Sequence, residues 1–119
     1  MKVVVLGGAG LTGRCAVRDL VESRGVSEIV IADVDLPKAE EIADEIKRGN
    51  VSATYVDLRK PNDTAKILKG ADVALNAASY YYNLEAMEAA LIAKAHYLDQ
   101  GGLTFLDPGG DYSKLRQLK

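Results

Sequence analysis

KVVVLGGAGLTGR, residues 2–14, runs from a β-branched stretch through a glycine-rich turn into residues of helical spacing. Lys2 to Leu6 shows no alternation of apolar and polar residues, as expected of a central strand covered on both faces. Gly8, Gly10 and Gly13 then satisfy G-x-G-x-x-G between that strand and the following helix. In such a turn the first glycine permits the tight bend, the second lets backbone approach a pyrophosphate, and the third brings helix against strand. The N–H groups at Leu11 and Thr12 would face the phosphates from the positive end of the helix dipole. Asp33 lies twenty residues beyond Gly13, at the end of the second apolar run. A carboxylate there can accept hydrogen bonds from both ribose hydroxyls of a dinucleotide. A 2′-phosphate would meet the same carboxylate, and Val34 and Asp35 supply no cation, so the pattern predicts NAD over NADP. The bland alternative is that the glycines only punctuate a turn and Asp33 is a solvated loop residue.

Outward from this stretch, strand-length apolar runs alternate with helical spacing along the whole chain, the mark of βαβ units around a parallel sheet. Ala16, Val17, Leu20 and Val21 predict the buried stripe of a first helix that begins at Leu11 and ends near Gly25, with Cys15 as a small buried hydrophobe. Glu28 to Asp33 predicts the second strand. Asp35 predicts the cap of a helix buried through Ala39, Ile42, Ala43 and Ile46, with Pro37 in its first turn. A third strand is expected over Ala53 to Val56, and a short helix from Pro61 that turns Ile67 and Leu68 inward and stops at Gly70. Val73 to Asn76 predicts a fourth strand. After the loop Ala77 to Tyr82, Asn83 is expected to cap a helix with Leu84, Met87, Leu91 and Ala95 on one face. His96 to Asp99 predicts a fifth strand, followed by a loop over Gly101 to Gly110 and a last helix over Tyr112 to Leu118. The expected fold is α/β, one doubly wound domain over 1–119 with strands in the order 3-2-1-4-5 and helices on both faces.

Composition narrows the function. Fifteen Lys and Arg against seventeen Asp and Glu leave a net charge of −2, so no basic excess is present for a nucleic-acid or anionic membrane surface. The apolar run Val3 to Leu6 is far shorter than the roughly 18 residues of a membrane span. A single cysteine offers neither an internal disulfide nor a metal cage, and a cytoplasmic location and no metal are expected. Ligands of open α/β sheets bind outside the carboxyl ends of the strands, which nominates Asp57 and Leu58 for the adenine and Asn76, Ala77 and Ala78 for close approach of the cofactor. Helix capping by Asp57 and tight strand–helix packing at 76–78 explain the same residues equally simply. Tyr80, Tyr81 and Tyr82 follow on the edge where a nicotinamide would sit. Tyr81 and Asp99 are the catalytic candidates, with interface packing the competing reading for the tyrosines. His96 reads as a structural hydrogen-bonder.

With these stretches in view, the sequence resembles the dinucleotide-binding N-terminal domain of the saccharopine dehydrogenase-like oxidoreductases. The resemblance rests on KVVVLGGAGLTGR, IVIADVDLPKAEEIA, YVDLRKPND and above all ADVALNAASYYYNLEAMEAALIAKAHYLDQGG, and it covers nearly the whole chain. It implies NAD(P)-linked hydride transfer at a carbon bearing an amine, on an amino acid or polyamine precursor. It also implies a second domain supplying most of the substrate pocket and the contacts of a possible homodimer. That domain is expected to be missing from these 119 residues, so the chain alone is expected to turn over no amine. Two other classes remain open: a regulatory module that senses NAD, as in domains that gate potassium transport, and an atypical short-chain reductase. Val56-Asp57 departs from the Gly-Asp usual in the first, and the absence of a Tyr-x-x-x-Lys pair departs from the second.

Overall fold

The computed structural model describes residues 1–101, and the expected loop beyond Gly101 and the last helix, Tyr112 to Leu118, lie outside the described residues. Five parallel strands form one sheet in the order β3-β2-β1-β4-β5, as the alternation of elements predicts. The strands are β1 (Lys2–Leu6), β2 (Glu28–Asp33), β3 (Val51–Tyr55), β4 (Val73–Asn76) and β5 (His96–Asp99). The helices α1 (Leu11–Val21), α2 (Leu36–Ile46), α3 (Pro61–Leu68) and α4 (Asn83–Ala93) connect them, with a short 3-10 turn at Tyr80–Tyr82. β1 is central, its Val5 in register with Ile31 of β2 on one side and Leu75 of β4 on the other.

Side chains of β1 alternate between two cores, because successive Cβ atoms of a strand point to opposite faces. Val3 and Val5 join Ile29, Ile31, Val17 of α1 and Ala39 and Ile42 of α2. Val4 and Leu6 join Ala65 and Leu68 of α3 and Ala86, Ala89 and Ala90 of α4. The Asp35 carboxylate accepts a hydrogen bond from the Lys38 N–H at 3.2 Å, capping α2 as expected. Gly70, at φ +82°, ends α3 in a conformation that side chains rarely adopt.

Several expectations fail for identifiable reasons. β3 begins at Val51, two residues before the expected Ala53, and ends at Tyr55, because Val51 pairs with Ile29 and is itself buried. Cys15 is exposed: the stripe that α1 buries runs through Gly13 and Val17, and a residue midway between them lies on the outer side. Asn83 does not cap α4 but is its first helical residue, buried, with Tyr82 at the cap position. The buried face of α4 is Ala86, Ala89 and Ala90, whereas Leu91 is 51% exposed. Small side chains let α4 approach α3 and the sheet closely, with Leu84 and Met87 half-buried and Leu91 and Ile92 turned outward.

Candidate functional site

The carboxyl ends of β1 to β4 border one crevice of about 420 Å³, and of the nominated residues Gly10, Asp33, Asp57, Leu58, Ala77 and Ala78 line it. Gly7 and Gly10 line it from the loop after β1, Asp33 and Val34 from β2, Asp57, Leu58 and Arg59 from β3, and Ala77, Ala78, Ser79 and Tyr82 from β4.

Within the glycine loop the roles differ from the sequence motif. The positive φ belongs to Gly7, at +76°, and a Cβ there would stand 2.7 Å from the Ala78 N. Gly8, expected to form the tight bend, instead lies buried where a Cβ would stand 2.7 Å from the side chain of Ile31. Its glycine is required by the strand beneath, and Gly7 shapes the turn. Gly13 packs α1 against the loop as expected, with a Cβ at that position 2.6 Å from the Gly8 Cα. Gly10 faces open space, its nearest Cβ neighbour being the Gly7 carbonyl oxygen at 3.4 Å. The first bond of α1 runs from the Arg14 N–H to the Gly10 carbonyl, so Leu11, Thr12 and Gly13 begin the helix with N–H groups outside its own bonding. Leu11 and Thr12 are exposed beside the crevice mouth.

Asp33 is held in place by the backbone. Its Oδ2 accepts from the Ala9 N–H and its Oδ1 from the Asp35 N–H, both at 2.9 Å. One lone pair on each oxygen remains for a ligand hydroxyl. Asp57 lies beside Asp33, following Val56, whose N–H donates to the Asp33 carbonyl, and the Asp57 side chain is 9% exposed. Arg59 donates to it three times: Nε to Oδ1 at 3.0 Å, Nη2 to Oδ2 at 2.8 Å, and the backbone N–H to Oδ1 at 3.0 Å. This fork, foremost through its side-chain hydrogen bonds, holds the Asp57 carboxyl down to about 2 and raises the Arg59 guanidinium above its ordinary value.

Behind the Ala77–Ala78 wall lies a buried polar network. Asn76, 1% exposed, accepts from the Ala78 N–H through Oδ1 and donates through Nδ2 to Asn83 Oδ1 at 2.9 Å and to the Tyr97 hydroxyl at 3.2 Å. The Tyr97 hydroxyl donates to Asp99 Oδ2 at 2.9 Å, and burial pushes this phenol well above its ordinary value. Asp99 Oδ1 accepts from the Gly101 N–H at 2.7 Å. Asn76 thus stands behind the crevice wall, and Asp99, nominated for catalysis, has both oxygens engaged by this chain. The Asn83 Nδ2 is buried without a partner among the described residues. Tyr97 and Asn83 were not singled out as part of a site, because their partners are brought together only by the pairing of β4 with β5. Tyr80 and Tyr81 stack on each other with ring centroids 4.4 Å apart, outside the crevice lining, and of the three tyrosines only Tyr82 lines it. His96 is exposed and its N–H donates to the Asp72 carbonyl.

Among the described residues no group of His, Cys, Asp and Glu could hold a metal ion, and no helix is long and apolar enough to cross a membrane. The arrangement instead fits a dinucleotide: a glycine loop without Cβ obstruction at Gly10, a helix N-terminus beside it, and a fixed carboxylate with spare acceptors.

Comparison with known proteins agrees. The model of the saccharopine dehydrogenase NADP binding domain family matches residues 3–116. A curated relative, carboxyaminopropylagmatine dehydrogenase of Synechocystis sp., is 32% identical over 101 residues, covering 83% of this chain and 25% of the relative. Apo saccharopine dehydrogenase (L-Glu forming) from Saccharomyces cerevisiae superposes with a TM-score of 0.77 at 19% identity, over 99% of this chain and 24% of that one. Citrobacter sp. triphenylmethane reductase, solved with NADP(H), superposes with a TM-score of 0.69 at 21% identity, over 83% of this chain and 37% of that one. The chain therefore spans about a quarter of the length of the curated relative and of the yeast enzyme.

Proposed function

The chain belongs to the saccharopine dehydrogenase NADP binding domain family, and from that premise we propose that it is the cofactor-holding part of an oxidoreductase acting on the CH–NH or CH–NH₂ group of an amino acid or polyamine precursor. The observation that supports this reading best is the convergence of the Gly7–Gly13 loop, Asp33, Asp57 and the Ala77–Ala78 wall on one crevice at the carboxyl ends of the strands. The loop and the start of α1 would take the pyrophosphate, Asp33 the adenosine ribose, Asp57 and Leu58 the adenine, and Ala77 and Ala78 would border the nicotinamide half. The bound nicotinamide would supply the hydride chemistry. The residues of this chain bind and orient it, while Asn76 holds the Ala78 N–H from behind. The amine would be received opposite the Ala77–Tyr82 wall, by parts of the longer relatives that these residues do not include. The substrate class is supported by the curated relative, a carboxyaminopropylagmatine dehydrogenase.

Within this reading NAD is preferred over NADP, although the family is described by NADP. Asp33 presents a carboxylate where a 2′-phosphate would lie, and exposed Val34 offers it no compensating charge. Calorimetry should show tighter binding of NAD than of NADP. Asp33→Asn, which removes the charge, should narrow the difference by about tenfold, equivalent to about 1.4 kcal/mol. Equal or tighter binding of NADP by the unmodified chain would overturn the preference, and absence of binding for both would overturn the dinucleotide reading itself.

A further inference from the structure

Arg59 is the one cation among the described residues lining the crevice, and its charge is already engaged. The two partners of the Asp57–Arg59 fork differ in freedom. The Asp57 side chain is 9% exposed and its Oδ1 also accepts the Arg59 backbone N–H, an Asx-type turn that fixes the carboxylate on the loop after β3. The Arg59 side chain is 73% exposed and carries its guanidinium on a long flexible stem. Asp57 is therefore the anchor and Arg59 the member that can leave.

The geometry points to this pair as a cofactor-specificity latch: Asp57 keeps the crevice's cation paired, so that a 2′-phosphate finds no unengaged positive charge. The inference rests on the dinucleotide reading of the same crevice. To take the Nε–Nη2 edge of Arg59 a phosphate must displace a bidentate carboxylate, and at the remaining N–H groups it meets a guanidinium whose charge Asp57 already offsets. Displacement also leaves Asp57 without its counter-charge, facing the incoming phosphate. Discrimination against the phosphorylated cofactor would then have two sources: repulsion by Asp33 and the engagement of Arg59. The second is absent from the glycine fingerprint, because it depends on an Asp-x-Arg spacing after the third strand. It also identifies a site through which a chain with an acidic β2 end could be shifted towards NADP without altering that end.

The test uses the full chain with NAD, NADP, 5′-AMP and adenosine 2′,5′-bisphosphate, followed by calorimetry. Asp57 also borders the adenine, so Asp57→Asn is expected to change the affinity for every ligand, and the quantity to read is the ratio between phosphorylated and non-phosphorylated partners. That ratio should rise about tenfold in favour of NADP and of the bisphosphate. Arg59→Ala alone should leave the ratio within twofold, because a paired arginine does not contribute to it. The double variant should lose the gain. Asp57→Ser repeats the experiment if asparagine at 57 prevents folding. An unchanged ratio in the Asp57 variants overturns the latch. So does a gain that survives removal of Arg59, which would reflect only the loss of a negative charge. A fall in the affinity for 5′-AMP and the bisphosphate alike on Arg59→Ala, with no gain from Asp57→Asn, would assign Arg59 to the adenine ring instead. If the unmodified chain binds NAD but the latch variants behave in these other ways, the dinucleotide reading stands and the latch falls. If it binds no dinucleotide, both fall.

Discussion

Gly10→Val is expected to abolish measurable dinucleotide binding in a chain that remains folded. The position has φ −73°, which any L-residue can adopt, and it is exposed. A Cβ there meets only the Gly7 carbonyl oxygen, at the ordinary distance of 3.4 Å. Nothing within the protein demands glycine at 10, so the cost of a side chain falls on the ligand. Valine would fill the space through which a pyrophosphate reaches the backbone. We expect the affinity for NAD to fall at least about a hundredfold, or about 2.7 kcal/mol, with the thermal transition retained. Calorimetry beside circular dichroism separates the two quantities. A folded variant with unreduced affinity would mean that the loop is a turn without a ligand.

Gly13→Ala should do the reverse and damage the fold first. Gly13 is buried in the first turn of α1, and an added Cβ would overlap the Gly7 carbonyl oxygen and stand 2.6 Å from the Gly8 Cα. These neighbours are backbone, itself tied down by hydrogen bonds from the Gly7 and Gly8 N–H groups to the Ala32 carbonyl. The helix must therefore back away from the sheet, at a cost of about 3 kcal/mol as for other overpacked cores. In a domain of this size that lowers the melting temperature by about 15 °C. A melting temperature close to that of the unmodified chain would show that the loop and helix are not held in such close approach.

The contrast between Gly10 and Gly13 also shows what could be read from the chain before its fold was known. β1, β2 and β4 were legible to the residue because buried parallel strands are short apolar runs bounded by turn residues, and the exposed edge strand β5 was legible from the turn residues around it. Asp33 was legible because its place relative to the glycines is set by one βαβ unit. The conformation of Gly7 was not: two adjacent glycines both satisfy a turn, and Ala78, which leaves no room for a Cβ at Gly7, comes from the end of the neighbouring β4, far along the chain. The inward face of α4 was missed because apolar size points to Leu84, Met87 and Leu91, whereas the buried face is made of Ala86, Ala89 and Ala90, with Glu85 and Glu88 marking only a narrow polar side. Arg59 was passed over since a charged loop residue ordinarily faces solvent. Its engagement appears only when the side-chain geometry of Asp57 is seen. The Asn76–Asn83–Tyr97 contacts likewise required β4 and β5 to be side by side.

The central place of β1 bears on how the chain reaches this structure. β1 can pair with β2 once α1 has formed, since Val3 and Ile29 are separated by one helical crossover, and β3 can then join at the outer edge of β2. Its opposite edge must wait for Val73 to Asn76, which lie beyond two further helices. Closing so distant a contact carries a loop-entropy cost before any burial repays it, and this slows folding in sheets of this kind. The half formed by β1, β2 and β3 is therefore placed to assemble first, with an unpaired edge of valines awaiting β4. In native-state hydrogen exchange the amides of Val4 and Val5 should be among the last to be labelled, because releasing them requires both halves of the sheet to separate.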